Sequence, residues 1–242
     1  MTTTMNRLPV STWNPLGVNY APASAALPTV PADGWAKAET LSPALPAGVT
    51  APAEADFTDF AASGMGAEAD AWLAENANLV NHLAVTGTAD APVVFENTLD
   101  ADHPHALTCL TIDAAEGSSL TVVQVVRGDA EDGVSANLTR IRAAENAHVT
   151  LVQVQLLGNH ARRWNAVAIE ESTSARVEQV RIELGGAVVA CGTRTLLNHN
   201  KCEYDLDAVY FGHGEDVLDF NDVSVHTGKD TLCEMHTAGV LT

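Results

Sequence analysis

The residues best equipped for chemistry cluster near the end of the chain: His226, Cys233, Glu234 and His236. Cysteine and histidine side chains are ligands for zinc and iron. Cys233 and His236, however, lie three apart on an expected strand, where side chains three apart face opposite sides. One strand cannot turn both toward one ion, so we read them as structural or surface positions. His226 reads as an inward polar residue or a corner residue. The pair His103 and His105 is similar to the His-x-His of cupin metal sites, but the next acid is Asp113, too distant to complete that set. Asp205, Asp207, Asp219 and Asp222 could serve a groove of the kind used by carbohydrate-acting, pectin-lyase-like enzymes. Asp205 and Asp207 alternate with Tyr204, Leu206 and Ala208, which places both acids on one outer face. No lysine or arginine lies close to them in sequence. The chain carries no phosphate-binding glycine loop and no nucleophile motif. We expect no catalytic residue, no resident metal and no cofactor in the isolated chain.

Composition narrows the partners. Twelve basic residues face 31 acidic ones, a formal net charge of -19. Such a field repels phosphate backbones and anionic lipid surfaces, so neither nucleic acid nor membrane is an expected partner. No stretch reaches the roughly 18 apolar residues of a membrane helix, and residues 1–12 lack the charged and apolar regions of a secretion signal. We expect a cytoplasmic protein whose four cysteines, Cys109, Cys191, Cys202 and Cys233, remain thiols and act as small buried side chains.

The elements that would position these residues fall into three regions. Residues 1–53 hold eight of the ten prolines and read as an extended segment, with Trp13, Leu16, Val18 and Trp35 available to pin it. Residues 54–88 carry helical spacing: Phe57, Phe60 and Ala61 on one face, then Trp72, Leu73, Asn76, Leu79, Val80 and Leu83 on another. Gly64 and Gly66 would separate a pair of short helices, and Glu68 and Asp70 suit a first turn. From residue 89 onward short β-branched runs follow one another. They are 93–99, 107–112, 120–126, 134–141, 149–156, 167–169, 177–184, 188–197, 202–210, 217–225 and 231–241. Strands at this spacing define an all-β region.

Three features favour stacked coils, while leaving other all-β folds open. The unit Glu116-Gly117-Ser118-Ser119-Leu120 recurs as Glu145-Asn146-Ala147-His148-Val149, with echoes near Ser174 and Asn200, at a step of 26 to 29 residues. Asn-Gly hairpin turns are nearly absent. Some runs also change their apolar phase, Val149 and Leu151 giving way to Val152 and Val154, and Leu218 and Phe220 to Val223 and Val225. We read those changes as slips where strands bend around corners.

Ser174-Ala175-Arg176-Val177-Glu178-Gln179-Val180 resembles a coil-opening strand of the SufB/SufD family. Arg194, Leu196 and Leu197, the run from Asn200 to Leu206, and Ala208-Val209-Tyr210 are similar to the coils that follow it there. Asp219, Val223 and His226 resemble the family's next coil, and Gly239-Val240-Leu241 the strand after that. The stretch from Leu8 to Asn14 is similar to the family's start. The resemblance, closest to the SufD branch, implies a right-handed parallel β-helix behind a short helical and extended N-terminal region. It also implies a scaffold role in iron–sulfur cluster assembly, beside a SufB-type subunit and a SufC-type ATPase, with transient Fe-S cluster association only in the full complex. Family members continue past Gly239-Val240-Leu241, so the chain reads as shortened at its C-terminal end. The cysteine and histidine of the family's subunit contact have no counterpart here. The bare last coil is expected to allow a homodimer. The other reading is the carbohydrate-acting β-helix enzyme.

Overall fold

A computed structural model describes residues 5–6, 27, 33–35, 38–40, 44–57 and 59–242. The expected pins Trp13, Leu16 and Val18, the stretch from Leu8 to Asn14 and most of the proline-rich segment lie outside the described residues. Fourteen strands and one helix are seen among the described residues. After β1 (Ala38–Thr40) and β2 (Val49–Thr50) come α1 (Ala67–Asn76), β3 (Leu79–Val85) and β4 (Val93–Leu99). Next are β5 (His105–Ala114), β6 (Ser119–Gly128), β7 (Val134–Ala143), β8 (His148–Leu157) and β9 (Arg162–Glu171). The last are β10 (Arg176–Leu184), β11 (Val188–Leu197), β12 (Glu203–Gly212), β13 (Val217–His226) and β14 (Leu232–Leu241).

From β3 onward successive strands alternate between two sheets. One runs β1-β4-β6-β8-β10-β12-β14 and the other β2-β3-β5-β7-β9-β11-β13. Apart from the short antiparallel pairings of β1 with β4 and β2 with β3, each strand pairs parallel with the strand two further along the chain. This is a parallel β-helix of about six turns, as expected. The register reproduces the repeat. His148 sits beside Ser119, Arg176 beside His148, Glu203 beside Arg176 and Leu232 beside Glu203.

The recurring turn unit is one corner of the solenoid. Gly117, Asn146, Ser174 and Lys201 all adopt left-handed backbone, with φ of 66°, 57°, 56° and 59°. Each donates its amide to the next coil: Gly117 to Glu145, Asn146 to Thr173, Ser174 to Asn200 and Lys201 to Lys229. The residue after each left-handed position is small and buried, namely Ser118, Ala147, Ala175 and Cys202. Cys202 therefore fills a place in a corner stack, its thiol donating to the His199 and Ser172 carbonyls at 3.1 and 3.2 Å.

Two expectations are corrected. Residues Phe57 to Ala61 form no helix among the described residues, and α1 ends at Asn76. Leu79–Val85, read above as helical, is a strand of the first coil, pairing parallel with β5. Leu79, Leu83 and their neighbours fit both a 3.6-residue and a two-residue period over so short a run. The open edge of β5 decided between them. The supposed slips are the second correction. β8 pairs without interruption on both sides, so Val149, Leu151, Gln153, Gln155 and Leu157 all point inward and Val152 and Val154 outward. β13 is equally continuous against β11, which keeps Leu218, Phe220, Asp222 and Ser224 on one face. The apolar phase changed because inward positions turn polar, not because the strand slips.

The outer face of the β3-to-β13 sheet is covered. Met65, Ala69 and Leu73, from α1 and the turn before it, pack on Leu107, Leu138 and Trp164. The preceding segment touches the sheet closely where Gly64 meets Gly192: a Cβ on Gly192 would lie 2.3 Å from the Met65 nitrogen. Asp70 fixes the entry to α1 by accepting from the Ser63 amide and hydroxyl at 2.7 and 2.5 Å.

Candidate functional site

Inside the solenoid, strand alternation sends every second side chain toward the axis. Near one corner these are apolar: Val122, Ile141, Leu151 and Ile169 belong to a continuous core. A smaller apolar cluster with Leu99, Val126 and Leu157 closes the opposite corner. Between the two runs a column of polar side chains, stacked coil upon coil.

Its first layer is a chain of amides. Gln153 donates to Gln124 at 2.9 Å, Gln179 donates to Gln153 at 3.0 Å, and Tyr204 donates its hydroxyl to Gln179 at 2.7 Å. These four occupy inward positions of β6, β8, β10 and β12. From the facing sheet, Asn165 exchanges hydrogen bonds with Gln153 at 3.1 Å, and Asn137 donates to Asn165 at 2.8 Å. Amides on neighbouring coils form such ladders because each can donate to one neighbour and accept from the other.

The second layer is charged. Arg163, with 4% of its side chain exposed, lies 3.2 Å from Glu183, with 1% exposed, and also donates to the Ser135 hydroxyl. The Cys191 thiol donates to the other Glu183 oxygen at 3.4 Å. Arg181 makes a two-pronged pair with Asp222, both bonds at 2.8 Å, and its guanidinium lies over the Phe220 ring, 5.0 Å from the centroid. A cavity of about 30 Å³ adjoins both layers, with Gln124, Ser135, Asn137 and Arg163 on one part of its wall and Phe95, Leu110 and Val126 on another.

Burial governs the electrostatics. It raises the Cys191 thiol well above its usual range, and the nearby Glu183 charge raises it further. Burial works against the charge on Arg181, but Asp222 and the other nearby groups, Cys191 and Glu183, together outweigh it. Tyr204 is raised by burial, with Asp222 adding to the effect. A thiol so held is neutral at physiological pH, whereas thiol nucleophiles need a lowered pKa. The column holds its charges in two ion pairs, Arg163 with Glu183 and Arg181 with Asp222.

The residues singled out from sequence are not brought together. Cys233 faces inward beside Tyr204, whereas Glu234 and His236 face outward beside Asp205 and Asp207. His236 lies 3.5 Å from Asp207. His226, at the end of β13, contacts the Ser224 and Thr231 hydroxyls. His103 pairs with Asp100 at 3.2 Å, and His105 meets the Trp35 ring edge-on. Among the described residues no three His, Cys, Asp or Glu side chains are arranged to hold a metal ion. Asp205 and Asp207 share the outer face as expected, whereas Asp222 lies inside. A cation does reach Asp222: Arg181, 41 positions away in sequence and one coil away in space.

Sequence reading missed the column. The signal was present as Gln124, Gln153 and Arg181 in register at the coil repeat, and as Gln179, Arg181 and Glu183 at every second position of one strand. Those residues look solvated until the strand is known to be closed over on both faces.

The fold and its interior define a class: a two-sheeted parallel β-solenoid with an internally paired polar column. Residues 97–242 match the family described as SUF system FeS cluster assembly, SufBD core domain. That match covers more than half of the chain, which belongs to this family and has its role in iron–sulfur cluster assembly. No curated protein matches the chain.

Proposed function

We propose that this chain is a scaffold subunit of the SufD type, joining a SufB-type subunit and a SufC-type ATPase in the cytoplasm, with no catalysis and no resident cofactor of its own. The family match over residues 97–242 carries this reading. The interior supports it, since the thiol in the polar column is held neutral and the charges there are paired. The end of the stack supports the docking role. β14 lies at the edge of its sheet, and every residue of it but Cys233 is exposed, including inward-phase Met235 and Leu241. Edge strands with free backbone groups pair readily with other chains. The same edge allows two copies to associate when other partners are absent. An iron–sulfur cluster would be met only within the complex, as a passing cargo.

The test is co-purification. The tagged chain, co-expressed with SufB-type and SufC-type proteins from one source, should elute with both as a single species in size exclusion. Failure to retain either would overturn the proposal.

A further inference from the structure

The β4-to-β14 sheet differs from the β3-to-β13 sheet in having an outer face that nothing among the described residues covers. Its outward side chains line up across strands. Val123, Val152 and Val180 form one row, and Val125, Val154, Ile182 and Val209 the next. Leu156 lies on a third row, with Leu184 and Phe211 paired in register beyond it. Leu156, Leu184, Val209 and Phe211 are 44%, 40%, 47% and 39% exposed. A contiguous apolar face of this kind marks an interaction surface.

Charge says what kind of partner fits. Along one side of the face runs an acidic row of Glu178, Asp205 and Glu234, and Asp207 continues the first valine row beside Val180. With Arg176, Gln179, Val180 and His236 these acids line an open cavity of about 330 Å³. Arg176 is already engaged by Glu178 and Asp205, both at 2.7 Å. The whole chain carries a net charge of -19. A second copy would bring the same acidic row to the same place, and an anionic membrane would be repelled.

We propose that the outer face of β6, β8, β10, β12 and β14 is a docking site for a basic amphipathic helix of a partner protein. Its apolar stripe covers the valine rows, and its lysine or arginine flank reaches the acidic cavity. Such side chains suit the cavity because their aliphatic stems can lie on Val180 while the charged heads meet the carboxylates. Five strands at about 4.8 Å spacing give a path of roughly 19 Å, the length of a helix of about 13 residues. This goes beyond the scaffold reading, which uses the end of the stack and not its flank, so the two can fail separately.

The experiment uses the full chain and two synthetic helical peptides of about 14 residues, matched to that path, one of leucine and lysine and one of leucine and glutamate. Fluorescence anisotropy should show saturable one-to-one binding of the lysine peptide only. The triple variant Val154→Thr, Ile182→Thr, Val209→Thr, which keeps β-branched residues and charge, should weaken that binding at least tenfold. Asp207→Asn with Glu234→Gln should weaken it more than the same charge change at the distant turn acids, Glu116→Gln with Glu145→Gln. The acid-to-amide pairs leave the strands intact, so they remain informative if the triple variant misfolds. Equal binding by the triple variant, equal loss in both acid-to-amide pairs, or equal binding of the glutamate peptide would overturn the proposal. So would self-association in sedimentation that the threonine variant abolishes, which would make the face a contact between copies.

Discussion

Removing one side of the Arg181–Asp222 pair tests whether the interior column holds the coils together. In Asp222→Ala, Arg181 keeps the Thr193 hydroxyl at 3.4 Å, the Phe220 ring and the nearby Glu183 charge, which Arg163 already engages. Its side chain is 1% exposed and that of Asp222 only 15%, so water is a poor replacement for the lost carboxylate. Stranding a buried charge in this way costs about 3–5 kcal/mol. For a chain of this size that corresponds to a fall in Tm of roughly 6–20 °C. Replacing both partners by apolar residues, Arg181→Met with Asp222→Leu, should restore most of the loss, because it removes the desolvation cost along with the attraction. Urea denaturation followed by circular dichroism gives the magnitude. Hydrogen exchange gives the location, which should be β13 and β14 first, because solenoid coils depend on their nearest neighbours. A loss under about 1 kcal/mol, or a double variant no better than Asp222→Ala, would refute the reasoning.

Glu171 offers a pH test. It is 2% exposed, only the Glu203 backbone amide approaches its carboxyl group, and burial pushes its pKa up to about 9. The folded state thus keeps a proton that the unfolded state releases near pH 4.5. Stability from this group is full below that value and is lost as pH rises toward 9. Glu171→Gln should be close to neutral at about pH 4.5 and stabilising by on the order of 4 kcal/mol at about pH 7.5; denaturation midpoints that shift equally at both pH values would contradict this. Thiol titration gives a third check. Burial lifts Cys109 to about 11 and raises Cys191 and Cys202 as well, and all three are buried. At about pH 8 a maleimide should label half-buried Cys233 first, with the other three reacting only on unfolding; prompt labelling of Cys191 would show the column to be open.

The strand runs, the turn units and the 26-to-29-residue step were legible in the chain itself. Each depends on local chemistry: β-branched side chains for strands, and a left-handed residue followed by a small one at each corner. Gly117-Ser118, Asn146-Ala147 and Ser174-Ala175 announce their corner without any knowledge of the neighbouring coil. The outward placement of Asp205 and Asp207 followed from alternation alone, for the same reason. The fate of residues 79–85 did not, because a seven-residue apolar run satisfies two periods and only the edge of β5 selects one. The interior column was equally out of reach. Gln153, Arg181 and Glu183 carry the polarity of surface residues, and their burial depends on a facing sheet whose partners, Asn165, Asp222 and Arg163, lie 12, 41 and 20 positions away. Periodicity along a strand fixes which residues share a face. Whether that face meets water, a helix or another sheet is decided by the coiling of the whole chain, because burial is a property of the closed stack and not of any one strand.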